Sequence, residues 1–280
     1  MVEEDLIYDI GLHKGEDAAF YLRKGYRVLG FEADPGLVDY CRRRFASETQ
    51  TGRLGIEEGA IAPPDYGESV TFYRNSNISL WGTVCGDWVQ RNESLGASSY
   101  PIHVPRIDLQ GTIRRQGVPY YMKIDIEGMD RYVLDTIVQL NVKPALVSIE
   151  SEKVDFQRFI DDLHRLESAG YGSFKLVQQQ WIGGSSIATV TLDGTPMEHV
   201  FEDNASGPFG DEAPGPWIPL PEVVRRYRKV FAEYRLFGDR SPLRRLPRGG
   251  TVISGTGRYL LRRPLPGWYD IHAALGQERT

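Results

Sequence analysis

The chain has 280 residues, of which 41% are hydrophobic and 25% charged, and its 33 Lys and Arg against 38 Asp and Glu give a net charge of -5. These proportions argue against a disordered, collagen-like or membrane-spanning chain and leave room for one large domain or two small ones. The charge is uneven: residues 222–263 hold 12 Lys and Arg against 3 acidic residues. The acidic remainder is a poor general binder of nucleic acid. The basic stretch is either an anion contact or the solvated face of a helix docked on an acidic body.

Two cysteines, Cys41 and Cys85, cannot build a disulfide framework or a four-cysteine metal site, and they suit a reducing compartment. The start, Met1-Val2-Glu3-Glu4-Asp5, is acidic where a signal peptide would be basic, and no apolar window approaches a membrane span. The expectation is a cytoplasmic protein with neither a membrane nor a nucleic-acid partner.

Leu6 to Ile10 is a short apolar run ending at Gly11, the pattern of a buried strand. A helix follows from Glu16 to Lys24, stopped by Gly25, then a strand from Tyr26 to Glu32. Asp34-Pro35 opens a second helix, and Gly55 to Ala62 reads as a third strand. Ser69 to Tyr73 is a short strand, Asn75 to Gly86 a loop, and Ile102 to Ile107 an edge strand because Pro105 cannot donate to a ladder. Further on come a helix over Leu109–Gln116, a strand over Tyr120–Ile126, a helix over Met129–Leu140 and a strand over Ala145–Ile149. A helix over Asp155–Ala169 and strands over Phe174–Gln178 and Ile187–Leu192 complete the alternation. Such alternation calls for an α/β fold with a doubly wound, mostly parallel sheet, and for a ligand beyond the carboxyl ends of its strands.

After about residue 195 the character changes. Ser206 to Gly210 and Pro214 to Trp217 form a Gly/Pro-rich loop with exposed-looking aromatics, and Glu222 to Phe237 is one amphipathic helix. The simplest division is a ligand-binding domain over residues 1–195 and a C-terminal extension, 196–280, packed on it as a lid over the acceptor site.

Three motifs carry chemistry. In Asp9-Ile10-Gly11-Leu12-His13-Lys14-Gly15-Glu16-Asp17 a strand gives way to a helix through a Gly-x-x-x-Gly turn. Glycines there let the backbone approach a ligand, although an ordinary tight turn has the same pattern. Neither the Gly-x-Gly-x-x-Gly turn of dinucleotide binders nor a triphosphate loop is present, and the acidic helix start favours a cationic or zwitterionic ligand. Glu32, at the end of the second strand and 17 residues after Gly15, is placed to accept both hydroxyls of a ribose, while Asp34 suits the cap before Pro35. Together these describe an adenosyl ligand without a pyrophosphate, which S-adenosylmethionine satisfies. The third motif brings Asp125 and Glu127 to one strand end, with Glu150 and Glu152 ending the next. These carboxylates could hold a divalent cation, act as a general base, bind an amino group, or pair with Lys123 and Lys153. No metal ligand is assigned among them.

With Asp9-Ile-Gly-x-x-x-Gly15-Glu-Asp, Phe31-Glu32-Ala-Asp-Pro35 and Met122-Lys123-Ile-Asp125-Ile-Glu127-Gly128 in this order, the chain resembles the FkbM-type family of S-adenosylmethionine-dependent methyltransferases. The resemblance covers about residues 5–178 and extends to Ser206–Gly210 and Trp268–Ala273 in one bacterial branch. It implies the Rossmann-like class I methyltransferase fold. It also implies that Asp9, Gly11 and Gly15 line the methionine end of the cofactor, where His13 could offer one hydrogen bond, that Glu32 holds the ribose, and that Ala33, Ala60 and Ile61 lie by the adenine. Asp125 would sit near the amino group and the transferred methyl. His13 stands where the family usually has Asn, and Ala18 where Thr is frequent. The implied activity is methyl transfer to a hydroxyl of a small-molecule or glycan acceptor, such as a sugar or a specialised metabolite. Asp125, Glu127, Glu150 and His272 are the candidate bases, His272 only if the tail folds back. The competing readings are a non-catalytic binding protein on the same fold and, against the missing pyrophosphate turn, a nicotinamide-dependent oxidoreductase.

Overall fold

The computed structural model describes residues 1–75, 82–86, 88–90, 98–126, 128–151, 155–237 and 268–276, with the backbone alone at 236 and 237. The strands are β1 (Val2–Ile10), β2 (Arg27–Glu32), β3 (Leu54–Glu58), β4 (Ala60–Ile61), β5 (Ser69–Asn75), β6 (Ser99–Ile107), β7 (Val118–Ile124), β8 (Leu146–Glu150), β9 (Tyr171–Gln178), β10 (Ser186–Val190), β11 (Pro196–Val200) and β12 (Tyr269–Leu275). The helices described are α1 (Glu16–Arg23), α2 (Pro35–Arg44), α3 (Ala46–Gln50), α4 (Leu109–Gln116), α5 (Asp130–Gln139), α6 (Phe156–Ser168) and α7 (Leu220–Phe237).

Seven strands form the central sheet in the order β3-β2-β1-β7-β8-β12-β9. Every neighbouring pair is parallel except those of β12, which runs antiparallel between β8 and β9. This is the class I methyltransferase arrangement, with its change of strand order between β1 and β7. Alternation along each strand divides the core. Tyr8, Ile10, Met122, Ile124, Val147 and Ile149 face the side covered by α4 to α7, and Ile7, Val28 and Tyr121 face α1, α2 and the segment around Phe209. The helix caps follow the sequence: Asp34 accepts from the Gly36 N–H at 2.8 Å, and Asp155 accepts from Gln157 and Arg158 at 2.9 and 3.2 Å.

Four expectations are corrected. The third strand is broken at Gly59, where φ is 143° and a Cβ would lie 2.4 Å from the Pro105 carbonyl oxygen, so β3 and β4 belong to different sheets. The strand around Pro105 is central in a small sheet, β4-β6-β5, because β4 reaches only Arg106 and Ile107 and asks no hydrogen bond of Pro105. The aromatics of the Gly/Pro-rich loop are not all exposed: Phe209 is buried and stacks on Tyr121 with centroids 4.4 Å apart and planes 8° apart. Finally, the C-terminal extension does more than pack on the sheet, since β12 is one of its strands.

The described part of the basic stretch is α7. It buries Val223, Tyr227 and Val230 against the sheet, while exposed Arg225 and Arg226 pair with Glu222. The remainder, 238–263, lies outside the described residues. Neither Cys41 nor Cys85 is in a disulfide among the described residues. Among the described residues no helix is long and apolar enough to cross a membrane.

Candidate active site

A cavity of about 730 Å³ opens at the carboxyl ends of β1, β2, β7 and β8, beside the change of strand order. The loop after β1 enters it first. Gly11 has φ 90°, and a Cβ there would lie 2.0 Å from the Asp125 carbonyl oxygen, so only glycine lets β1 and β7 end side by side. His13, at φ 50°, turns its amide toward the end of β2 and donates to Glu32 Oε2 at 2.8 Å, while the Asp34 N–H donates to Oε1 at 2.8 Å. Glu32 is therefore oriented by two backbone donors and keeps lone pairs on both oxygens for a ligand. Burial outweighs those donors and pushes its pKa up to about 7.

One lysine governs the electrostatics. Lys123 Nζ lies 3.4 Å from Asp9, 3.4 Å from Asp17 and 3.6 Å from Asp125. Burial opposes its charge, but the three carboxylates outweigh burial and hold its pKa above the ordinary value. Asp9 is itself pushed up to about 7, mainly by burial, and its Oδ2 has no hydrogen-bond partner among the described residues. Asp17 is raised by the same cause and accepts from the Ser206 and Gly207 amides at 2.8 and 3.2 Å, pinning that loop beside the cavity. Three acids around one cation make a site suited to a further positive charge.

Of the residues singled out from the sequence, Gly11, His13, Glu32, Ala33, Ala60, Ile61, Asp125 and Glu150 line the cavity. Three do not. Asp9 lies behind the wall and contributes through Lys123. Gly15 caps α1 at φ 78° and packs against Phe45. His272 is 2% exposed and its ring stacks on Tyr121 at 6.5 Å. The reason is its place in the pleat. Asp9, Lys123, Ser148, His272 and Lys175 register side by side across five strands, forming a buried polar row. Asp270, two residues earlier and opposite Glu150, is the residue of β12 that reaches the cavity. Burial, with Lys175 adding to it, drives the His272 pKa down to about 3, so the ring is neutral. Glu127, Glu152 and Lys153 lie outside the described residues. Among the described residues no group of three or more His, Cys, Asp or Glu is placed to hold a metal ion.

The sequence reading missed several wall residues. Phe72, Gly82 and Thr83 border the cavity because the small sheet is folded against the large one. Asp17, Lys123 and Asp270 sit inside segments quoted for other reasons, and Gln179, Asp203 and Asn204 carry no local signal. Only Asn204, with φ 70°, has a conformation that marks it.

Residues 9–172 match the family described as the methyltransferase FkbM domain. No curated protein sequence matches the chain. Similar solved structures include a precorrin-6y C5,15-methyltransferase from Geobacter metallireducens, 13% identical over 71% of this chain and 77% of that one, with a TM-score of 0.35. An O-methyltransferase from Bacillus cereus in complex with SAH is 14% identical over 70% and 74%, with a TM-score of 0.32. A SAM-dependent methyltransferase from Archaeoglobus fulgidus is 9% identical over 97% and 86%, with a TM-score of 0.38.

Proposed function

Since the chain belongs to the FkbM methyltransferase family, we propose that it transfers the methyl group of S-adenosylmethionine to a hydroxyl oxygen of a sugar or specialised metabolite. The observation that carries this reading is the cavity wall: a buried, doubly oriented Glu32 at one side and an acid-rich cluster around Lys123 at the other. These residues fit the cofactor. Glu32 would accept the ribose hydroxyls, Ala33, Ala60 and Ile61 would flank the adenine, Gly11 and His13 would offer backbone to the methionine end, and Asp17 and Asp125 would hold its ammonium.

When bound, S-adenosylmethionine supplies a methyl on a sulfonium, already activated toward displacement. The protein then has to align the acceptor oxygen, exclude water and take a proton. Alignment contributes up to roughly 7–11 kcal/mol in well-oriented systems. A base beside the hydroxyl adds about 10²–10⁴-fold. Asp125 and Glu150 are candidates on the wall, and Glu127 follows Asp125 in sequence. Within the 196–280 extension, the segment held by Asp17 through Ser206 and Gly207 would cover the acceptor side. A divalent cation is not part of this reading.

Calorimetric titration of S-adenosylmethionine tests the site. Glu32→Ala removes charged hydrogen bonds worth about 1.5–3 kcal/mol each, so binding is expected to weaken at least about tenfold. Asp9→Ala is expected to weaken it as well, by removing one of the three carboxylates that hold Lys123. Unchanged affinity in both variants defeats the assignment.

A further inference from the structure

At one end of the cavity, outside the loops given to the cofactor, three stretches of chain meet. Trp268 and Asp270 come from the start of β12, Gln179 and Gln180 follow β9, and Asp203 and Asn204 lie in the turn after β11. β9 and β12 are neighbours there: Tyr269 registers with Gln178, and the Gln179 N–H donates to the Trp268 carbonyl at 2.8 Å.

Two side chains at this end are built for a polar ligand and have none in the protein. Asp270 is 7% exposed and lines the cavity, and its carboxyl makes no hydrogen bond to any described residue. Gln179 has both amide atoms shielded from solvent and without a hydrogen-bond partner among the described residues. Buried polar groups of this kind are normally satisfied, and leaving them bare is costly. Beside them Trp268 presents a half-exposed indole. A carboxyl, an amide carrying both donor and acceptor, and an aromatic face together match a ring that bears several hydroxyls on one side and C–H bonds on the other. A simple phenol would satisfy Asp270 but leave Gln179 bare.

We propose that this end is the acceptor subsite, that it takes a pyranose-like polyhydroxylated ring, and that Asp270 is the catalytic residue that receives the acceptor's hydroxyl proton. The proposal rests on the methyl-transfer reading above. In the step it describes, the acceptor hydroxyl gives its proton to a carboxylate oxygen of Asp270 while its oxygen forms the new bond to the methyl carbon. The sulfur–methyl bond breaks and its electron pair stays on sulfur, leaving a neutral thioether, a methyl ether and a protonated Asp270.

The surroundings agree with that role. Burial, then Asp125 and Glu150, hold the Asp270 carboxyl well above the ordinary range; Lys123 opposes them and Asp17 adds to them. On the other side β9 places apolar Val177 opposite it. A sulfonium brought into this acidic cluster favours the ionised form, so cofactor binding readies the base.

The experiment has two stages. Calorimetry with S-adenosylhomocysteine on the wild type comes first, and absence of binding there defeats the methyl-transfer reading itself. With S-adenosylhomocysteine bound, saturation-transfer NMR then compares methyl α-mannopyranoside, methyl β-glucopyranoside, methyl α-rhamnopyranoside and catechol. Pyranoside signals are expected in the wild type and are expected to vanish in Gln179→Ala and Trp268→Ala, both of which keep the S-adenosylhomocysteine affinity. In turnover with methyl-labelled S-adenosylmethionine, a pyranoside that binds is methylated. Asp270→Asn is expected to lower kcat by about 10²–10⁴-fold, with KM little changed, and to remove the acid limb of the pH profile. Asp270→Glu, which keeps the acid, restores part of the rate. Saturation transfer to catechol alone or to no probe, or pyranoside binding without methylation, overturns the proposal. So does an Asp270→Asn enzyme within about threefold of the wild-type rate. Loss of S-adenosylhomocysteine binding in both Asp270 variants makes the residue structural and overturns it equally.

Discussion

Glu32 shows how one residue can be legible in its identity and hidden in its chemistry. Its position at the end of β2 follows from the apolar run before it and the Asp-Pro helix start after it. Its charge state does not, because the His13 amide that helps to orient it comes from the loop after β1, and the burial that raises its pKa comes only with folding. A carboxyl whose folded pKa is about 7, above its unfolded value, favours the fold fully at low pH. That contribution is lost as pH rises toward and through 7, because the unfolded chain releases the proton first. In the ligand-free protein the loss has a limiting slope of about 1.4 kcal/mol per pH unit for one proton. Thermal unfolding from pH 5 to 8 is therefore expected to show a steeper fall in stability for the wild type than for Glu32→Gln. Parallel curves would show that Glu32 is ionised in the folded protein throughout. His272 and Asp270 give the complementary lesson. A histidine near the end of the chain draws the eye in a sequence, but the two-residue period of a strand puts His272 one pleat below the cavity and Asp270 on its edge.

At the scale of elements, the strands and helices of the first 178 residues are readable because hydrophobic period, glycine stops and acidic caps agree with one another. β12 escapes because Tyr269–Leu275 contains Asp and His in the face that turns toward Tyr121, which breaks the apolar run by which a buried strand is recognised. Its partners are 91 to 128 residues away, and no local pattern encodes such pairing. Position makes the strand indispensable. β12 joins β8 to β9 and buries Tyr269, Ile271 and Ala273 against α6 and α7. Ending the chain after residue 267 would leave a gap in the sheet and two unpaired edges. Such a variant is expected to lose cooperative unfolding and to be recovered largely as aggregate, as circular dichroism and size-exclusion chromatography would show. A folded monomer with a wild-type melting curve would mean that β8 and β9 close up without it.

For the whole molecule, the cavity joins the two ends of the chain: the cofactor side comes from β1 to β4, and the other side from β8 to β12. Ligand binding to such a site stabilises both together. S-adenosylhomocysteine at 100 times its Kd is expected to add about 2.7 kcal/mol to the folded state. For a chain of this size that is a rise in Tm of about 5 °C, read by differential scanning fluorimetry. NADH is expected to give none, since the loop after β1 has no pyrophosphate turn. An equal shift with NADH would favour the oxidoreductase reading.

The sequence by itself determined the alternation of strands and helices, the parallel sheet, and the strand ends at Gly11, Glu32 and Asp125, because these follow from local periodicity and from residues that stop or cap an element. Tertiary structure alone decided which carboxylates share Lys123, which residue of the last strand meets the cavity, and that the small sheet and the 203–206 segment wall it. Those outcomes depend on pleat, register and burial between segments far apart in the chain. Each is fixed only when the strands take their order.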